Sequence, residues 1–222
     1  MWATPLFLLW FLMPVSSDSL SATTLALLGQ SDITGDVLNT ALRLAGAVSQ
    51  FESNSNPQSM QDDGGPGRGM YQIEPESAKT AVNRMDQLLE NVPVLEAYPW
   101  VQRLRDNGYD VVAADLTAGE QTELFLLDQL RDGDAPFIKT VKADSPSDWF
   151  DYWSKNWWRK SNPSDEETAH RRERWDRDVL PGLLNRQQEA SDAGVQGFAT
   201  DLMGKQTQVA ARNGLSPDAR MM

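Results

Sequence analysis

The chain has 222 residues, of which 20 are basic and 32 acidic, and its net charge of −12 argues against nonspecific nucleic-acid binding, which needs a basic surface. The absence of cysteine excludes disulfides, thiol nucleophiles and cysteine-ligated zinc, and one histidine, His170, excludes a multi-histidine metal site. Chemistry in this chain would therefore use carboxylates, and we expect neither a metal nor a cofactor.

The first segment, residues 1–15, is apolar and carries no charged side chain. It is shorter than the ~20 residues that span a bilayer, and its two prolines oppose one regular helix. Three interpretations stay open for residues 1–17: a signal peptide, a short membrane anchor, or a segment that packs on the body or on a partner. Residues 18–35 are rich in Ser, Thr, Gly and Asp, which predicts a linker with at most one short helix.

Apolar residues at helical spacing predict the first clear helix, which begins at Asp36 and ends near Glu52. Thr34 or Asp36 can cap it, and Pro57 discourages helix at the residue before it. A polar, glycine-rich loop follows over residues 53–69. Loops of this length in compact domains are usually functional or disordered.

The rest of the chain also has helical patterning and no run of β alternation, so the predicted class is all-α. Pro75 suits the first position of a helix, Thr117 and Glu120 form a capping box, and Ser147 and Ser164 (or Asp165) are further candidate caps. Helices are predicted at residues 75–92, at 94–108 with an interruption at Pro99, and at 120–133, 148–160 and 166–180.

Tryptophans are concentrated in the helix at 148–160. Trp149, Trp153 and Trp157 recur every four residues, which predicts one apolar stripe in the core rather than a platform for sugars, and we interpret Trp158 in the same way. The following run, HRRERWDRD, predicts a solvated helix with internal ion pairs, in which His170 has no catalytic role.

Glu52 is the residue that points to chemistry. A glutamate at the end of an apolar helix can be desolvated, which raises its pKa and keeps it protonated near neutral pH. Glycosidic bond cleavage needs such an acid to protonate the leaving oxygen. The glycines of residues 64–69 let the backbone approach a ligand, and Tyr71 and Gln72 offer an aromatic surface and an amide for sugar groups.

These residues resemble a known family. Glu-Ser at 52–53, Asn-Pro at 56–57, Gly-Met-Tyr-Gln-Ile at 69–73 and Pro75 are similar to the signature of the soluble-type, goose-lysozyme-like lytic transglycosylases. That signature has Glu-Ser, a nearby Asn-Pro, a Gly-Leu-Met-Gln-type turn and a proline that starts the next helix. The resemblance covers residues 45–81, about a sixth of the chain.

The chain departs from the signature in three places. The loop between Glu52 and Gln72 is slightly longer and carries the acidic run Gln-Asp-Asp at 61–63, and Arg68 replaces a small residue of the turn. The family's Tyr-Asn helix, which faces the cleft, is matched only loosely by Tyr152 and Asn156.

The resemblance implies a lysozyme-like helical domain at residues 36–163, followed by a helical, partly flexible extension at 164–222. It implies that the substrate is the MurNAc-GlcNAc strand of peptidoglycan, with Glu52 as the catalytic acid and then base. The transglycosylase route needs no second carboxylate, whereas hydrolysis uses one to activate water or to stabilise the cation; Asp62 and Asp63 are its candidates. The substrate-binding residues that it implies are Ser53, Met70, Tyr71, Gln72, Tyr152 and Asn156.

Two settings fit this activity: a phage virion protein that acts in the host periplasm, and an enzyme exported to the bacterial periplasm or exterior. The alternative is a non-catalytic assembly protein of a virion or envelope complex that retains a lysozyme-like fold. The N-terminal segment and the C-terminal extension would then dock partner proteins. A third interpretation is membrane disruption by residues 1–15.

Overall fold

The computed structural model of the protein describes residues 20–90, 98–130, 135–158 and 164–185. The apolar segment at 1–17 and the extension beyond residue 185 lie outside them. The chain divides into two compact units, Met1–Leu180 and Pro181–Met222. Of the second unit, residues 181–185 are described, and they are helical. The candidate site belongs to the first unit.

The described residues of the first unit are mostly helical and include no β-strand, which confirms the all-α class. Its short elements are 3₁₀ turns at Asp62–Gly64 and Pro146–Asp148 and a π-helical turn at Trp153–Trp157, and two isolated β-bridges join Arg68 to Met60 and to Ile73. The α-helices are α1 (Ala22–Gln30), α2 (Gly35–Ser53), α3 (Pro75–Glu90), α4 (Pro99–Asp106), α5 (Ala118–Gln129), α6 (Ala135–Ala143), α7 (Trp149–Tyr152) and α8 (Asp165–Asp178).

Helix α5 lies at the centre of this unit. It packs against α2 and α3, and α2 also packs against α6. Every residue from Gln121 to Gln129 is buried, so the helix is surrounded on all sides. Its buried polar side chains have partners: the Glu123 carboxylate, for example, accepts hydrogen bonds from Thr24 Oγ1 at 3.0 Å and from Trp100 Nε1 at 2.9 Å.

Three of the predicted helix starts are confirmed. Thr117 and Glu120 form the capping box of α5, the Ser164 hydroxyl accepts a hydrogen bond from the Glu167 amide at the start of α8, and Pro75 begins α3. Ser147 is not a cap, because it lies inside the 3₁₀ turn that precedes α7. The described ranges contain no helix with both the length and the apolar composition needed to cross a membrane.

The packing of the helices contradicts both predicted limits of the domain at residues 36–163. The one short helix allowed within residues 18–35 is present as α1, but these residues are not a linker where they are described, because α1 buries Leu27 and Leu28. The extension does not begin at residue 164, because α8 places Trp175 in the core, 5.2 Å from the Phe51 ring. The prediction that α8 is a solvated helix is therefore wrong on the face that carries Trp175.

Candidate active site

Helix α2 places Glu52 in its last turn. The helix ends at Asn54, whose φ of 54° lies in the left-handed region, and the amides of Asn54 and Ser55 return to the carbonyls of Gln50 and Ser49. This sharp end leaves Glu52 half-buried beside the loop that follows. The predicted end of the helix is thus confirmed to within one residue.

Among the described residues, one side chain donates directly to the Glu52 carboxyl. Trp153 Nε1 donates to Glu52 Oε1 at 2.7 Å, and the Trp153 indole is fully buried against the edge of Phe51. Burial raises the pKa of Glu52 from its ordinary 4.5 to about 7. The Trp153 hydrogen bond and the positive charges of Arg171 and Arg174 act in the opposite direction and are outweighed.

Helix α8 supplies those two arginines. The Arg174 guanidinium lies 4.4 Å over the Phe51 ring and donates to the Phe51 carbonyl, one of the last carbonyls of α2. The Arg171 guanidinium lies 4.4 Å from the centre of the Trp158 ring. The polar run on α8, interpreted from the sequence as a solvated surface, therefore covers the end of α2 that carries Glu52.

A cavity of about 320 Å³ opens beside Glu52. Its volume is at the lower end of the range typical of small-molecule sites. Two further carboxylates, two side-chain amides, one hydroxyl and two indoles surround it. The residues that line it are Glu52, Gln61, Gln72, Ile73, Glu74, Ser77, Asp128, Trp157 and Trp158.

Ser53 and Gln121 hold the two sides of the loop together. Ser53 Oγ donates to the Met70 carbonyl at 2.9 Å and accepts from the Asn56 amide at 3.1 Å. From α5, Gln121 Oε1 accepts from the Met70 amide at 2.8 Å, and its Nε2 donates to the Pro57 carbonyl at 2.9 Å. Ser53 and Met70 are therefore used in fixing the loop and are not among the residues lining the cavity.

Gly69 allows Gln121 to reach this turn. Its φ is +73°, and a β-carbon there would lie 2.2 Å from Gln121 Oε1. The next turn residue, Gln72, also has a positive φ, 52°, and donates from Nε2 to the Gly69 carbonyl at 2.9 Å. Of the predicted binding residues in the turn, Gln72 is the one that lines the cavity.

Arg68 is the residue that departs from the family turn, and it stabilises the glycine-rich segment. Its guanidinium donates to the carbonyl of Gly67 at 2.9 Å and lies 3.3 Å from Asp110 Oδ2. The additional acidic residues of the loop lie elsewhere. Asp62 is exposed and does not line the cavity, and the Asp63 side chain lies outside the described groups.

Two predicted aromatic contacts with substrate are not supported. Tyr71 is fully buried, stacks on Phe125 at 4.4 Å and forms a hydrogen bond with Thr122 through its hydroxyl. Tyr152 is buried and donates to Gln129 Oε1, and Asn156 donates to the Tyr152 carbonyl at 2.9 Å. Both Tyr152 and Asn156 line a separate, more open depression rather than the Glu52 cavity.

The sequence interpretation missed two cavity carboxylates, the exposed Glu74 and the buried Asp128. Asp128 is 2% exposed and lies near the end of α5, and Gln129 Nε2 donates to its Oδ2 at 3.2 Å. Because Gln129 in turn accepts from the Tyr152 hydroxyl, Tyr152 is linked to the cavity through the hydrogen bonds of Gln129 and Asp128. The available signal for Asp128 was an aspartate within the apolar run LFLLDQL, since aspartate is rarely buried without a specific reason.

The tryptophan stripe is divided between two roles. Trp149 and Trp153 are fully buried, as predicted, whereas Trp157 and Trp158 are half-buried and line the cavity. The π-helical turn causes this difference. Its Trp158 amide donates to the Trp153 carbonyl at 3.0 Å, five residues back, so that Trp158 and not Trp157 follows Trp153 on the same face.

In comparisons with known proteins, no family model, curated protein or solved structure matches the chain. Within the described ranges, no group of three or more His, Asp or Glu side chains is arranged to hold a metal ion.

Proposed function

We propose that the protein cleaves the glycosidic bond between MurNAc and GlcNAc in peptidoglycan, with Glu52 as the proton donor, in a domain of the lysozyme-like type. The observation that carries this proposal is the Glu52 carboxyl, which has a pKa of about 7 and lines a cavity of about 320 Å³. An acid with this pKa is protonated in about half of the molecules at neutral pH. It can therefore deliver a proton and afterwards accept one.

The proposed first step uses Glu52 alone. Its proton passes to the glycosidic oxygen, the bond from that oxygen to the anomeric carbon breaks, and positive charge develops on the sugar ring. The Trp153 N–H stabilises the carboxylate that remains, because a hydrogen bond to the charged form favours it. Glu52 then accepts the proton of the group that attacks the anomeric carbon.

Asp128 favours water as that attacking group. A second carboxylate in the same cavity can stabilise the positive sugar or orient water, which hydrolysis requires and the intramolecular transglycosylase route does not. We therefore propose hydrolysis, with Asp128 in the role for which the sequence suggested Asp62 and Asp63. The proposed setting is a phage virion or the bacterial envelope, because the substrate lies there.

The test is mass spectrometry of the soluble products after the full chain is incubated with purified murein sacculi. Glu52→Gln keeps the shape of the side chain and removes its acid, and Glu76→Gln is the control, because Glu76 is an exposed residue of α3 that does not line the cavity. We expect release by the parent and by the control but not by Glu52→Gln. Products with reducing ends support hydrolysis, and 1,6-anhydro products identify a transglycosylase.

No release above a protein-free incubation would overturn the proposal and favour the non-catalytic assembly protein. Equal release by Glu52→Gln and the parent would also overturn it, because the proton donor would then lie elsewhere.

A further inference from the structure

The Glu52 cavity has an aromatic side. Trp158 lines it, and its indole stacks on the buried Trp153 with the two ring planes 6° apart and their centres separated by 5.5 Å. Trp153 also donates the hydrogen bond to Glu52. One indole is thus in direct contact with both the proposed acid and this side of the cavity.

The positions of Trp153 and Arg171 show which face of Trp158 is already in contact with other side chains. The Arg171 guanidinium carbon is 4.4 Å from the centre of the Trp158 ring and 5.8 Å from the centre of the Trp153 ring. Groups stacked on opposite faces of one ring are ~7 Å or more apart, since each lies at least a van der Waals contact distance from its plane. Arg171 and Trp153 therefore lie on the same side of Trp158.

The other face of Trp158 has no aromatic or cationic partner among the described residues. The side chain is half-buried and lines the cavity, which makes this face the candidate contact for a ligand there. The opposite face of the Trp158 ring is held in place by the buried Trp153 indole and by the Arg171 guanidinium. Binding to a ring that is already held costs less side-chain entropy than binding to a free one.

The chemistry of the cavity specifies what such a ligand would look like. A flat indole face offers a large apolar contact, while Gln72, Ser77 and Glu74 offer hydrogen-bonding groups around the same space. A pyranose ring has this combination, with axial C–H groups on one face and hydroxyls around its rim. An elongated apolar ligand would displace water from these polar groups without replacing its hydrogen bonds, which is unfavourable.

We propose that Trp158 is the platform on which a sugar ring of the substrate stacks, directly beside Glu52. The proposal deepens the proposed function and rests on it for the choice of a glycan as the ligand. It also assigns a purpose to the π-helical turn, which brings Trp158 to the face of Trp153. Tryptophan 158 is then a binding residue, whereas Trp153 and Arg171 position it.

The test is the affinity of the full chain for a β-1,4-linked GlcNAc tetramer, measured by isothermal titration calorimetry in the Glu52→Gln background so that no cleavage occurs. We compare Trp158 with Trp158→Tyr, which keeps a flat aromatic face, and with Trp158→Leu, which keeps apolar bulk without that face. We expect Trp158→Tyr to bind within about threefold of its parent and Trp158→Leu to bind about tenfold more weakly. Near-ultraviolet circular dichroism checks that each variant keeps its packed aromatic core.

Tetramer binding that is equal in the Trp158→Leu variant and its parent would overturn the platform. So would the absence of any binding by the parent, since a platform without a sugar has no role. These results differ from failure of the proposed function: binding that depends on Trp158 without release of murein products retains the platform and removes the enzyme. Release of murein products, together with tetramer binding that does not depend on Trp158, retains the enzyme and removes the platform.

Discussion

Trp153 and Glu52 are 101 residues apart in the chain, and yet the indole N–H of the first donates to the carboxyl of the second at 2.7 Å. The contact joins the π-helical turn to the end of α2. It lowers the pKa of Glu52, which burial raises, because a donor to a carboxylate stabilises the charged form. The balance of these opposing effects leaves the pKa of Glu52 at about 7.

Trp153→Phe removes this donor and keeps an aromatic ring in the core. We expect the pKa of Glu52 to rise further, because burial would then be opposed only by Arg171 and Arg174. The alkaline limb of the rate of murein release should move to higher pH. A profile that coincides with that of the parent would show that the indole N–H does not act on the catalytic proton.

The pH dependence of the parent follows from the direction of the Glu52 shift. As a general acid Glu52 must be protonated, so release of murein products should fall as the pH rises through about 7. The rate of solubilisation of murein, measured from pH 5 to pH 9, checks this. Activity that increases steadily to pH 9 would contradict the assigned role.

The same shift affects the free energy of unfolding. Below pH 4.5 Glu52 is protonated in both the folded and the unfolded chain, so burial carries no electrostatic cost there. Between 4.5 and about 7 the unfolded chain releases the proton and the folded one holds it, so stability is lost as the pH rises through this window. Relative to Glu52→Gln, the parent should lose about 2 kcal/mol between pH 5 and pH 8.

Urea unfolding of both proteins at the two pH values measures this difference. Because other groups titrate equally in parent and variant, the comparison isolates Glu52. A constant difference between the two proteins across this range would mean that the carboxyl is as well solvated folded as unfolded.

Asp128→Asn tests the second carboxylate. We expect products with reducing ends to fall by at least about 100-fold, the lower range for loss of an acid–base group, while the fold is retained because the amide oxygen can still accept from Gln129. Asp62→Asn is the matched control, since Asp62 is exposed and does not line the cavity. Mass spectrometry of the products gives both results. A larger effect of Asp62→Asn than of Asp128→Asn would show that the second carboxylate is Asp62 and not Asp128.

Gly69→Ala tests the turn that faces α5. The β-carbon would lie 2.2 Å from Gln121 Oε1 at a φ of +73°, so we expect a loss of about 2–3 kcal/mol in the free energy of unfolding. Gly46→Ala is the control, because a β-carbon there meets nothing within 4 Å and the residue lies inside α2. It should stabilise by about 0.5–1 kcal/mol. Thermal unfolding that ranks the two variants in the opposite order would contradict the contact with Gln121.

The helices and Glu52 were predictable because their signals are local. Each of these signals acts within a few residues, and the structure confirms the helix ends that they predict. They are Pro75, the Thr117–Glu120 capping box and the apolar spacing before Glu52. The rest of the site depends on distant contacts. Asp128 lines the cavity, but α5 is buried on all sides, so no pattern within α5 alone shows which face meets Glu52.

Two errors in the sequence interpretation have identifiable physical causes. The sequence predicts that Tyr71 offers an aromatic surface to sugar groups, but its ring stacks on Phe125 and does not line the cavity, whereas its neighbour Gln72 does. Trp157 was placed on one stripe with Trp149 and Trp153 on the assumption of a uniform helical period. The turn after Tyr152 holds more residues than an α-helical turn and breaks that period, and sequence periodicity contains no signal for it.

The wide turn at Trp153–Trp157 also determines how the site responds to changes in chain length. Deleting one exposed residue of the turn, such as Lys155, would place Trp158 four residues after Trp153, and ordinary helical spacing would then keep it on the same face. If the turn tightened to ordinary helical spacing with no residue lost, Trp158 would instead rotate away from Trp153 by about 100°. A comparison of aligned residue identities would overlook this second change, because every side chain of the cavity would still be encoded.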